Sequence, residues 1–152
     1  MGDNQKEQLH SVSNMLKTIL AEKRKTALEC VSSYNEIVLQ TEKTKTQEML
    51  WKRERKIYIT EAQIFTYIYN CNFDKAKKSI ARYKKLKLEQ MEFFEKNEIQ
   101  LHCMRGDLSF ETSENEGAYV NYANNTKKKI DQYEQLLSHM QQMSKVEILL
   151  VE

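Results

Sequence analysis

Residues 51–88 read WKRERKIYITEAQIFTYIYN (51–70), CNFD (71–74) and KAKKSIARYKKLKL (75–88). Ile57, Ile64 and Ile68 recur at helical spacing, and Tyr58, Ala62, Phe65 and Tyr69 form a second stripe beside them. Two adjacent stripes give a helix with a wide apolar and aromatic face. Asn70-Cys71-Asn72 interrupts it. Asn72 is placed to cap the next helix, and Asp74 sits in its first turn, where a carboxylate complements the helix dipole. Phe73, Ala76, Ile80 and Tyr83 then start a new helical face. This stretch is a helical hairpin, and the rest of the chain is expected to pack against it.

Composition points the same way. No Pro and three Gly in 152 residues leave almost no punctuation for a β-rich or loop-rich fold. Lys, Glu, Gln, Leu and Met are plentiful, and all are good helix formers. The fold class is all-α, and the length suits one helical domain across 1–152.

Upstream of the hairpin, Leu9, Val12, Leu16 and Ile19 step 3-4-3 with Leu20 beside them, while Ala27, Val31, Tyr34 and Val38 step 4-3-4. The change of phase near Lys23 reads as a stutter in a coiled-coil-like pattern. Thr41–Gln47 is a polar gap with no Gly or Pro to end a helix. One continuous helix over 4–69 is therefore favoured over a bend at 41–47. Downstream, the periodicity predicts a helix over 73–105, stopped by Arg105 and Gly106. An acidic loop at 107–116 follows, then a fourth helical run over 117–150. Length matching suggests a long-helix antiparallel three-helix bundle of 36–69, 73–105 and 117–150 with a projecting N-terminal extension. If the chain bends at 41–47, the same segments close into a four-helix bundle.

No reaction centre stands out. Glu7-Gln8-Leu9-His10 is a lone Glu-x-x-His where a di-iron bundle needs two, and the adjacent His102 and Cys103 point to different sides of a helix. No catalytic residue, metal site or cofactor is expected. Asn72-Phe73-Asp74-Lys75-Ala76 with Ile80 and Tyr83 is similar to the turn and second helix of a tetratricopeptide repeat. The resemblance covers one turn and helix, and no second copy follows at that family's period, so the family is not assigned. Cys30, Cys71 and Cys103 are odd in number and no apolar leader precedes them, which favours a reducing cytoplasmic or nuclear setting. The longest apolar run, Ile148–Val151, is far short of a membrane span.

Charge carries more. Residues 52–87 hold eleven Lys or Arg against three acids. The hairpin brings Lys52, Arg53, Arg55 and Lys56 near Lys84, Lys85 and Lys87, a candidate anion-binding group. The expected function is a non-catalytic scaffold or adaptor that assembles with itself or a protein partner. Leu9, Val12, Leu16, Ile19, Leu20 and Trp51 are its candidate interface. The alternative is a nucleic-acid or polyanion binder working through the basic hairpin over 52–87.

Overall fold

The computed structural model describes residues 3–39, 44–96 and 115–151. Four helices account for them: α1 Asp3–Leu39, α2 Lys45–Tyr69, α3 Phe73–Lys96 and α4 Asn115–Val151. No strand occurs among the described residues. The all-α bundle expected from composition is what forms, in its four-helix version.

Long-range contacts fix the directions. Arg24 Nε donates to Thr66 Oγ1 at 2.8 Å and Arg55 Nη1 to Asn35 Oδ1 at 3.1 Å, so α1 and α2 run antiparallel. Gln90 meets Glu54 while Lys75 lies over the Tyr67 ring, which makes α2 and α3 antiparallel. Tyr83 packs on Tyr133 and Phe94 on Tyr122, so α3 and α4 are antiparallel too. Across the bundle Glu54 meets Tyr122 and Glu61 meets Lys129, so α2 and α4 are parallel. The result is an up-down-up-down bundle. Among the described residues no Cα of α1 lies within 8 Å of a Cα of α3, so α2 and α4 are the inner diagonal.

Two expectations are corrected here. The helix over 4–69 is not continuous: α1 ends at Leu39, and Thr44 starts α2 with a capping box. Thr44 Oγ1 accepts from the Gln47 amide at 3.1 Å, and Gln47 Oε1 accepts from the Thr44 amide at 3.1 Å. Two donors that a helix start leaves orphaned are thus satisfied reciprocally, without Gly or Pro. The N-terminal half of α1 therefore does not project. Leu16 and Leu20 are buried in one cluster with Ile64, Ile68, Ile80, Leu136, Leu137 and Met140.

The stutter near Lys23 also disappears. On α1 the positions facing inward are 13, 16, 20, 23, 27, 30, 34 and 37, an unbroken 3-4 alternation of buried and half-buried residues. Ser13 and Lys23 occupy two of those positions, and a pattern built from apolar residues passes over both. α4 begins at Asn115, two residues before the expected start. The stop at Arg105–Gly106 and residues 107–114 of the acidic loop lie outside the described residues.

The α2–α3 turn is a Schellman motif. The Asn72 amide donates to Tyr67 O at 2.8 Å and the Cys71 amide to Ile68 O at 3.1 Å, with Cys71 at φ 58°. Asn72 O accepts from the Ala76 amide at 3.0 Å, the first bond of α3. A left-handed conformation costs an ordinary L-residue about 1–2 kcal/mol, and glycine avoids most of that at some entropic cost. Cys71 is exposed, so nothing else is lost with its side chain. Cys71→Gly is expected to raise the urea midpoint, corresponding to a gain of about 0.5–1 kcal/mol. An unchanged or lower midpoint would count against strain at this turn.

Candidate functional site

Each helix turns some polar side chains into the bundle, and these meet in two layers. α2 faces inward with Leu50, Glu54, Ile57, Glu61, Ile64 and Ile68, alternating 4-3-4-3-4. Glu54 and Glu61, seven residues apart, take core positions that Ile68 continues. On α3 the same alternation places Lys87 and Gln90 in line with Ala76, Ile80, Tyr83 and Phe94.

The first layer is enclosed. Glu54, Lys87, Gln90 and Tyr122 are all at most 2% exposed. The Tyr122 hydroxyl donates to Glu54 Oε1 at 3.3 Å, and Lys87 Nζ donates to the same hydroxyl at 3.2 Å. Gln90 Nε2 donates to Glu54 Oε1 at 2.9 Å and to Leu50 O at 3.4 Å. The Lys87 ammonium also lies 4.5 Å from the Tyr122 ring centroid, within cation–π range. Burying a carboxylate is tolerable only with such partners.

The second layer is reached from solvent. Tyr133, 1% exposed, donates its hydroxyl to Glu61 Oε2, and Lys129 Nζ pairs with the same oxygen at 3.2 Å. Phe65 and Tyr83 pack edge-on against Tyr133 with centroids 5.3 and 5.1 Å away. A cleft of about 390 Å³ between α1, α2 and α4 opens onto this layer. Ile19, Glu22, Lys23 and Thr26 line it from α1, and Glu61, Phe65, Lys129, Gln132 and Tyr133 line the rest. Glu61 already accepts from two donors here, which suits a structural acceptor better than a proton-abstracting base. Among the described residues no group of three His, Cys, Asp or Glu is arranged to hold a metal ion.

Burial raises the Tyr133 hydroxyl well above the usual tyrosine range, and nearby Tyr83 and the Glu61 carboxylate push the same way. The sign for stability follows. An unfolded tyrosine loses its proton near pH 10, whereas folded Tyr133 keeps it. Its contribution is therefore whole below about pH 10 and shrinks by about 1.4 kcal/mol per unit above that, until the folded group itself ionises. Tyr133→Phe lacks this component. The stability gap between wild type and variant should narrow from pH 8 to pH 11 in urea titrations. A constant gap would mean that the hydroxyl is not held in this way.

The candidate residues read from sequence are dispersed by the fold. Leu16 and Leu20 are core residues, whereas Val12 and Ile19 are 49% and 42% exposed. The side chain of Leu9 lies outside the described residues. Trp51 is half-buried against a small cluster of Cys30, Tyr34 and Tyr58. Lys87 is the clear correction in the basic group: it sits in the core against Tyr122 and faces no external anion. Lys52 pairs with Glu48 at 2.9 Å, Arg53 stacks on Phe93, Arg55 bonds across to α1, and Lys84 reaches Glu134 at 3.0 Å. Lys56 and Lys85 remain exposed. The layer residues Glu54, Glu61, Gln90, Tyr122 and Tyr133 were not among the candidates. Only the seven-residue spacing of Glu54 and Glu61, in register with Ile68, could have marked them.

No family model matches this chain, and neither a curated protein nor a solved structure does. Among the described residues, no helix is long and apolar enough to cross a membrane.

Proposed function

We propose that this bundle is a non-catalytic helical adaptor that associates through the exposed flank of α1 that carries Val12, Met15 and Ile19, most simply with the same flank of a second copy. The observation behind this reading is a stripe of large apolar side chains left in water. Val12, Met15 and Ile19 are 49%, 62% and 42% exposed and step 3-4 along one side of α1. That spacing is what a partner helix reads. A twofold contact would use the stripe from both chains.

Magnitude limits how tight such a contact is. Fully burying a side chain of this size is worth about 1.5–3 kcal/mol, so half-exposed ones offer roughly 1 kcal/mol each. Six of them across a twofold contact give about 6 kcal/mol, against an association cost of about 4–15 kcal/mol. The stripe alone supports a weak, reversible contact, in keeping with an adaptor more than with an obligate dimer.

Light scattering over a concentration series tests this. The average mass should rise between tens and several hundred micromolar. Val12→Lys with Met15→Lys should hold it at one chain and leave the melting temperature unchanged, because both positions are exposed. A wild-type mass that stays at one chain throughout would sink the reading.

A further inference from the structure

We infer that the outward face of α3 docks into the major groove of duplex DNA through its cations, a second binding surface independent of the α1 stripe. The argument starts from charge balance. Of the three acids among residues 52–87, Glu54 and Glu61 are buried in the core and leave only Asp74 at the surface. Between Lys75 and Lys85 there are six cations and no acid. Lys84 is paired with Glu134 and Lys75 lies over Tyr67. Lys77, Lys78, Arg82 and Lys85 are exposed and make no ion pair or hydrogen bond among the described residues. Like charges three and four residues apart disfavour a helix, so Lys78, Arg82 and Lys85, which step 4-3, are a standing cost unless an anion neutralises them. The basic clusters on α1 and α4 are three residues long, Lys23–Lys25 beside Glu22 and Glu29 and Lys127–Lys129 beside Asp131 and Glu134, whereas on α3 Asp74 and Glu89 bound a longer run, 75–88, that holds no acid.

Shape selects the anion. At about 100° per residue, Lys78, Arg82 and Lys85 fall within about 60° of one another, opposite the buried line of Ala76, Ile80, Tyr83 and Lys87. Lys77 and Lys84 lie on the α4 flank of that row and Lys75 on the α2 flank. Lys77, Lys78, Arg82 and Lys85 therefore cover about 140° of a convex helix surface about 10–12 Å across, which fits a groove about 12 Å wide. A flat anionic membrane would meet the central row and leave the flanks unused. The major groove of duplex RNA is too narrow to admit a helix. Ser79, Ile80 and Tyr83 are buried, and residues 75–88 contain no Asn or Gln to read adenine, so this face offers cations alone, which contact phosphates or guanine edges.

Fluorescence anisotropy with a mixed-sequence duplex of about 20 base pairs, from 50 to 200 mM salt, tests the assignment. About four neutralised phosphates predict a slope of log K on log salt near −4. Lys78→Glu with Arg82→Glu and Lys85→Glu should abolish binding. Lys127→Glu with Lys128→Glu and Lys145→Glu, which changes net charge equally on α4, should retain most of it. Should the first variant lose its helical circular dichroism, Gln at the same three positions replaces it, with a slope near −1 expected. The assignment is overturned if the duplex fails to bind at 50 mM salt. It is equally overturned if the α3 and α4 variants bind alike, or if anionic phospholipid vesicles or a poly-glutamate peptide bind and the duplex does not.

Discussion

Replacing Lys87 with methionine is expected to cost the bundle about 3–5 kcal/mol, the usual penalty for removing one partner from a buried charged network. Methionine matches the lysine stem in length and flexibility, so packing changes little. What goes is the ammonium that donates to Tyr122 and lies over its ring, in a layer whose carboxylate, Glu54, is 1% exposed. Glu54 would keep the neutral donors Tyr122 and Gln90. A control separates this from general core damage. Lys87→Met combined with Glu54→Leu removes both charges, and such paired replacements are often neutral or stabilising. Most of the loss should therefore be recovered in the double variant, as read by urea unfolding. A single variant that loses less than about 1 kcal/mol would mean that Lys87 does not hold Glu54 in place.

The same layer explains what was legible in the sequence. The hairpin over 51–88 was, because Ile57, Ile64 and Ile68 and then Ala76, Ile80 and Tyr83 mark their faces with apolar residues, and Asn70–Asn72 marks the turn. Polar residues at core positions were not. Ser13 and Lys23 turned a regular seam on α1 into an apparent stutter. Glu54, Glu61 and Lys87 read as surface charge, although Glu61 and Lys87 each sit one heptad, and Glu54 two heptads, from an apolar core residue of the same helix. Hydropathy reads side-chain chemistry, whereas burial depends on what faces that side chain across the bundle. The break before α2 was written in Thr44 and Gln47, as the T-x-x-Q of a capping box, but the missing Gly and Pro outweighed it. Exposure was hardest to read: Val12 and Leu16 are equally hydrophobic neighbours one turn apart, and only the tertiary fold puts one outside and the other inside.

That contrast gives the largest expected effect on stability. Leu16→Glu with Leu20→Glu should unfold the chain or come close to it. Leu20 is fully buried and Leu16 is 9% exposed, and both share the apolar cluster of Ile64, Ile68, Leu137 and Met140. Deleting a buried leucine side chain typically costs about 2–5 kcal/mol, and two new carboxylates there would be buried among apolar and aromatic side chains. The combined loss reaches the whole stability of an ordinary domain, about 5–15 kcal/mol. Val12→Glu with Met15→Glu, on the outer side of the same two turns, should change the melting temperature by a few degrees at most while removing any self-association. The two pairs differ only in which way the helix faces them, so thermal melts and light scattering on both decide the fold of α1 directly. A helical, stable Leu16→Glu, Leu20→Glu variant would mean that α1 stands away from the other three helices in solution. Equal losses from the inner and outer pairs would mean that α1 is covered on both sides, with the second cover supplied by another chain.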